Sequence, residues 1–397
     1  MSLTVHDFLS LIFIGFRLNI LSSGNEQYSM AKLSFNNKGQ LFYSSLKKSV
    51  DHYFESNQIK KTGNIHLYTK AFILIPLALA LYVFFLFGSY SAWSGLALSV
   101  VMGLTLVSIA FNIMHDACHG SFSTRKWVND LLGLTMNALG SNAHIWKIKH
   151  NVIHHTYTNV DGIDDDIAKS PVLRHCPSQK WVPAHRYQFI YMFFVYSIST
   201  ILWVFLTDLV KYFSRKIVVT DMKFTPKQHF MFWFSKIAYI FFYIVLPVML
   251  LGWQSWLAGY LIINMTMGLT LAIVFQLAHV VEKTEFEVAG DTARVIDSEW
   301  AIHEIKTTAN FAPRNPIITW FVGGLNYQVE HHLFPRVSHV HYPALSQIVK
   351  AHCEQFGLPY HSYDTMTSAV ASHIRVMKVL GKKDAFTEMP VAEVKAA

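Results

Sequence analysis

Charge is missing from two long stretches of this sequence: Ala71–Met114, 44 residues, and Ile237–Val281 contain no Asp, Glu, Lys or Arg. Only 15% of the 397 residues are charged, against 52% hydrophobic and 15% aromatic, which excludes an ordinary soluble protein of this size. Cysteine is scarce as well. Cys118, Cys176 and Cys353 are the full set, with no CxxC pair, which argues against a disulfide framework and is compatible with a reducing face. Any oxidation chemistry must therefore come from elsewhere. No block of Lys and Arg alternates with aromatics, so the net charge of +8 does not point to nucleic acid. Basic loops flanking membrane segments account for it.

A hydrocarbon core about 30 Å thick needs about 20 apolar residues as helix. Each uncharged run is long enough for two crossings, with turns at "GSYSAWSG" (Gly88–Gly95) and "GWQSW" (Gly252–Trp256). The expected spans are about 71–89, 93–114, 231–251 and 256–279. Tyr187–Thr207 is also uncharged, but a fifth crossing would give the two hairpins opposite orientations. The link after Thr207 carries Lys211, Arg215, Lys216, Lys223 and Lys227, whereas the turns carry no Lys or Arg. By the positive-inside rule the link is cytoplasmic, so Tyr187–Thr207 is expected to lie in the interface or dip into the membrane.

The expected fold is thus an all-α polytopic membrane protein. Four transmembrane helices form two hairpins, with interfacial helices, and a cytoplasmic helical domain caps them. Its expected parts are an N-terminal cytoplasmic segment (1–69), a membrane domain (70–345) and a C-terminal helical tail (346–397). The apolar run "FLSLIFIGF" (Phe8–Phe16) is too short to span and lacks a basic flank and an A-x-A-like site. Met30 is an equally good start, so residues 1–29 carry no weight.

Twenty-one histidines are present, and position separates candidate ligands from bystanders. "HDACH" holds His115 and His119 at the end of the second span, and "HNVIHH" holds His150, His154 and His155. "QVEHH" holds Gln328, His331 and His332. On a helix, spacings of three and four place side chains on one face, and His155 lies about 100° round from His154. One helix can then address two centres. The first hairpin ends "FNIMH" and the second "FQLAH", so His279 matches His115, with Asn112 and Gln276 as the matching carboxamides. Coincidence competes with this reading, because Phe and His are both common here. Eight imidazoles exceed the four to six ligands of one transition ion, so two metal ions are expected. Imidazole suits iron, copper, zinc or nickel, so ligand type alone does not name the metal. A lone histidine is more often a hydrogen-bonded interfacial residue; three clusters plus His279 on one membrane face are not.

With these residues in view, the chain resembles the membrane fatty acid desaturases over about residues 70–343. The most specific stretch is "GGLNYQVEHHLFP" (Gly323–Pro335), which is similar to the third histidine box of the front-end group, where a glutamine, here Gln328, replaces the first histidine. The resemblance implies two iron ions held by His115, His119, His150, His154, His155, His279, His331 and His332, with O2 as co-substrate. Gln328, Asn112 and Gln276 are expected to support the ligands rather than bind metal. It further implies double-bond insertion at delta-6 or delta-5, with sphingolipid delta-8 also in reach, into an acyl-CoA or membrane-lipid acyl chain. Many front-end desaturases carry a fused cytochrome b5 marked His-Pro-Gly-Gly. That tetrad does not occur here, so a separate ferredoxin or cytochrome b5 with its reductase is expected to supply electrons.

The chemistry explains the placement. An unactivated methylene has no acidic proton, so acid–base residues cannot start the reaction and a metal–oxygen oxidant is required. The acyl chain comes from the bilayer and the electrons from water, so the metal belongs at the boundary, on the cytoplasmic face. A bacterial inner membrane is expected ahead of the endoplasmic reticulum. The competing functions are a membrane hydroxylase with similar boxes and a histidine-lined metal transporter; against the latter, no ladder of polar ligands runs through the spans. Trp146, Lys149 and Asn151 are candidates for the substrate entrance or plain interfacial anchors. Asp164, Asp165 and Asp166 read as a solvated loop or helix cap. His144, His303, His339 and His341 read as supporting or surface residues.

Overall fold

The computed structural model describes residues 33–37, 41–167, 172–218, 220–288, 295–385 and 391–393. Phe8–Phe16 and Met30 lie outside the described residues. The described chain is mostly helical, and among the described residues four helices are long and apolar enough to cross a membrane. Helix α1 (Leu41–Ser56) precedes the first of them, α2 (Ile65–Phe87). The next is α3, an unbroken Ala92–His119. It is followed by α4 (Lys126–Gly133) and α5 (Ala143–Trp146), which runs on as the π-helical Lys147–His154. Then come α6 (Pro183–Ser197) and α7 (Ser199–Ser214), α8 (Pro226–Leu251) and α9 (Trp253–His279). Further along are α10 (Trp300–Thr307), α11 (Gln328–Leu333), α12 (Tyr342–Gln355) and α13 (Met366–Leu380).

The apolar helices start and stop where local chemistry requires. Asn64 and Ser91 cap α2 and α3 with side-chain oxygens, and Gly88 ends α2. Thr225 and Gln228 form a reciprocal capping box at α8, with Pro226 in the first turn, where its missing N–H costs nothing. Gly252 breaks α8 from α9 at φ +79°, a left-handed conformation that glycine adopts without strain. The Tyr187–Thr207 stretch lies in the α6–α7 pair, which is bent by 60°.

Two glycines fix how closely the helices meet. A Cβ on Gly103 of α3 would lie 2.7 Å from the Ile263 carbonyl of α9, so these helices touch backbone to backbone. A Cβ on Gly323 would lie 2.5 Å from the Phe111 carbonyl. That contact presses the segment before α11 onto the end of α3, and so brings the third histidine cluster to the first.

The remaining helices gather around a second core. On α1, Phe42, Leu46, Val50 and Phe54 recur every four residues as one buried stripe. They pack with Ile305 of α10, Val329 and Leu333 of α11 and Val349 of α12. Strand pairing is minor: Val160–Asp161 and Val391–Glu393 flank Phe286–Val288 in a three-stranded parallel ribbon.

Candidate metal centre

All eight histidines singled out from the sequence converge. His115 and His119 end α3, His279 ends α9, His150 and His154 lie on the π-helical stretch with His155 just after it, and His331 and His332 lie on α11. Ligand atoms of His115, His119, His150 and His331 lie within 4.8 Å of one another, as do those of His154, His279 and His332. His155, with His331 and His332, forms a third such group joining the two. Each of the eight residues is at most 8% exposed.

The winding of the second cluster differs from the α-helix expected. A π-helix closes i to i+5 bonds, and the His155 N–H donates to the His150 carbonyl at 3.1 Å. The extra residue per turn brings His155 back beside His150, Nε2 to Nε2 at 3.2 Å. α3 carries the same feature at Ala110–Met114, immediately before His115.

The imidazoles are oriented from behind. His154 Nδ1 lies 3.0 Å from Asp164 Oδ2, His150 Nδ1 3.3 Å from Asp166, and His332 Nδ1 2.8 Å from Glu304. His331 Nδ1 meets the Tyr342 hydroxyl at 3.1 Å. A carboxylate only accepts, so such a partner keeps the proton on Nδ1 and leaves the Nε2 lone pair facing inward. The Nε2 atoms of His119, His154, His279, His331 and His332 are buried with no hydrogen-bond partner among the described residues. Buried nitrogens left so are costly, and a cation accepting their lone pairs removes that cost. The donor set therefore fits transition-metal ions.

Burial depresses His150 from an ordinary 6.5 to about 3, and pulls His155, His331 and His332 well down, so these imidazoles are neutral and available as donors. Burial also pulls on His154, but the Asp164 carboxylate beside it outweighs this and the net direction is up. Glu304 is pushed up chiefly by burial and further by the Asp164 carboxylate; positive charge at His332 Nε2 would favour its carboxylate form.

The acidic run is thus not a solvated loop. Asp164 is fully buried against His154 and accepts from the Asn159 backbone at 2.9 Å, and Asp166 pairs with Lys149 as well as His150. Only Asp165 keeps to structural pairing, with Lys211 and Lys149. Lys149 is therefore bound to carboxylates rather than free at an entrance. Glu304, Tyr342 and Thr158 were not legible as site residues. Thr158 Oγ1 lies 2.8 Å from Glu304 and 3.1 Å from His332.

The supporting carboxamides divide. Asn112 accepts from Lys70 Nζ at 2.7 Å and donates to the Phe321 carbonyl at 3.0 Å, away from the imidazole groups. Gln276 is buried, its Oε1 without a hydrogen-bond partner among the described residues, and Gln328 Nε2 donates to the Leu325 carbonyl at 2.8 Å. His339 lies between Lys70 Nζ, at 3.0 Å, and Asp116, at 3.1 Å. His303 bonds the Thr158 carbonyl, His341 that of Thr62 and His144 that of Lys223. Trp146 stacks on His150 at 4.4 Å, and Asn151 donates to the Cys118 carbonyl at 2.9 Å. A cleft of about 370 Å³ lined by Tyr82, Tyr243 and Tyr260 opens beside the helix starts of α3 and α9, at the end opposite the imidazoles.

Residues 91–364 match the fatty acid desaturase family. A protein of Arthrospira platensis named sn-1 linoleoyl-lipid 6-desaturase is 37% identical over 343 residues, covering 85% of this chain and 92% of that protein. A Synechocystis protein of the same name is 36% identical over 85% of this chain and 94% of its own length. An acyl-lipid (8-3)-desaturase of Physcomitrium patens is 33% identical over 91% of this chain and 76% of its own. The chain therefore belongs to the fatty acid desaturases, a family of oxidoreductases.

Proposed function

We propose that this chain is a front-end desaturase that inserts a double bond at delta-6 or delta-5 into the acyl chain of a membrane lipid. The observation that carries the proposal is the convergence of eight buried imidazoles at the ends of two apolar helices. The 6-desaturase and (8-3)-desaturase names of the relatives favour these positions and a lipid-bound substrate over acyl-CoA.

Two iron ions would be held here, one by His115, His119, His150 and His331, the other by His154, His279 and His332, with His155 between them. When bound they supply the reduction of O2 and the removal of two hydrogens from adjacent methylenes. The chain's own residues do the positioning. Asp164, Asp166 and Glu304 fix imidazole tautomers, and the packing of α11 against α3 excludes water from between the rings. Trp146, stacked on His150, forms part of the apolar wall facing the substrate.

The two-hairpin topology, with the site in a cytoplasmic helical cap, follows from the basic link after Thr207. Electrons would come from a separate ferredoxin or cytochrome b5, and the cyanobacterial relatives favour a bacterial inner membrane.

The test is lipid analysis of a host expressing the chain beside a His331→Ala variant, with labelled saturated, mono-unsaturated and di-unsaturated substrates. A new double bond made only by the parent, mapped by mass spectrometry to position 6 or 5, is expected. A hydroxylated product would transfer the chain to the hydroxylase reading, and a purified chain with no bound metal would remove the basis of both.

A further inference from the structure

Helix α4 starts seven residues after His119 and has two unlike faces. Asn129 and Gly133, four apart, are buried, and a Cβ on Gly133 would lie 3.3 Å from Cys118 Sγ, so this face rests on the first histidine turn. Asn129 fastens it there, donating to the carbonyls of Gly120 and Ser123 and accepting from the Ser123 N–H. On the other face Trp127, Leu131 and Leu134 recur at helical spacing and are 61%, 57% and 37% exposed. These three lie outside the four candidate spans.

Two apolar helices have an end at α4. α3 stops just before it, and α8 carries in its first turn Lys227, whose charge acts on Asp130 of α4. Asp130 is held below the usual carboxylate range first by its 2.5 Å bond to Lys126, and also by Lys147 and Lys227. Helix ends mark where the hydrocarbon stops, so α4 lies at that boundary. Its apolar stripe is exposed, and the charges of three lysines, Lys126, Lys147 and Lys227, act on the carboxylate of Asp130. A tryptophan and leucines below a cluster of lysines is the pattern of a helix lying in an anionic membrane surface.

We infer that α4 is a headgroup dock: Lys126, Lys147 and Lys227 hold the anionic headgroup of a membrane lipid while Trp127, Leu131 and Leu134 seat its leaflet beside the histidine cluster. The inference rests on the desaturase reading and deepens it by naming the substrate's headgroup class. The phosphates of CoA would suit the lysines but leave the apolar stripe uncovered, whereas a leaflet covers both.

The test uses the full chain in nanodiscs of phosphatidylcholine containing a minor fraction of phosphatidylglycerol, with retained lipid counted by native mass spectrometry. Phosphatidylglycerol is expected to be enriched on the parent and on Lys126→Arg/Lys147→Arg/Lys227→Arg. The triple Gln variant at the same positions should lose that enrichment by about tenfold or more, at about 1 kcal/mol per lysine. Metal content and size-exclusion profile, measured on all three, certify the fold. Equal enrichment in parent and Gln variant would overturn the inference, as would displacement of the lipid by stearoyl-CoA at matched concentration. Should the desaturase reading fail, the lipid product would be missing while the charge-dependent enrichment persisted, so the two failures are distinguishable.

Discussion

His154 Nδ1 lies 3.0 Å from Asp164 Oδ2, and both residues are fully buried. The carboxylate so placed fixes the His154 proton on Nδ1 and turns Nε2 toward His279 and His332. Removing it costs orientation and leaves the ring's donor unpaired. Asp164→Ala is expected to weaken metal retention about 10- to 100-fold, with Asp164→Asn, which keeps the shape, falling between parent and Ala. Chelator titration of the purified, metal-loaded proteins followed by metal analysis measures this; retention by Asp164→Ala equal to that of the parent would sink the idea.

The candidate ligands were legible because histidine is rare enough on apolar helices for clusters to stand out, and because His279 repeats the context of His115. The groups behind them were not. Asp164 and Asp166 stand in a run of three acids, which in sequence reads as a solvated loop; the turn that folds Asp164 under Asn159 is what buries it. Glu304 lies 28 residues before His332, with no spacing to connect them. The four apolar helices were legible from uncharged length alone, with ends shifted by a few residues. The π-helical winding at His150 was not, since it is set by packing and not by local preference.

Gly323 is the glycine whose loss matters most to the third cluster. It has φ +58°, and an added Cβ would meet the Phe111 carbonyl at 2.5 Å. Gly323→Ala therefore combines backbone strain of about 1–3 kcal/mol with a forced separation of α11 from α3. Lower thermal stability is expected together with loss of metal from the His115, His119, His150 and His331 group. A stable Gly323→Ala protein with full metal content would contradict the backbone contact.

Cys176 and Cys353 are fully buried and free, and burial pushes each thiol up to about 12. Thiolate is the reactive form, so both are expected to resist alkylation in the native protein. Iodoacetamide at about pH 8, below both shifted values, should label neither residue by peptide mass spectrometry until the chain is denatured. Rapid native labelling of Cys353 would show that the α1–α12 core opens.

Acid should destabilise the metal-free protein, and the sign follows from the imidazoles. Folding depresses His150 to about 3 and lowers His155, His331 and His332, whereas the unfolded chain titrates near 6.5. Below about 6.5 the unfolded state therefore binds more protons than the folded one. The stability these groups confer is complete above that value and is lost as the pH falls toward about 3, each adding up to about 1.4 kcal/mol per pH unit. His154, which Asp164 raises, works in the opposite direction but is one group against four. Thermal unfolding of the metal-stripped chain in nanodiscs should thus give a lower Tm at about pH 5.5 than at about pH 7.5. Replacing His150 by Gln should flatten part of that slope, because Gln takes no proton in the unfolded chain. A Tm that holds steady or rises toward acid would mean that the imidazoles are hydrated and charged in the folded protein, which the buried cluster does not allow.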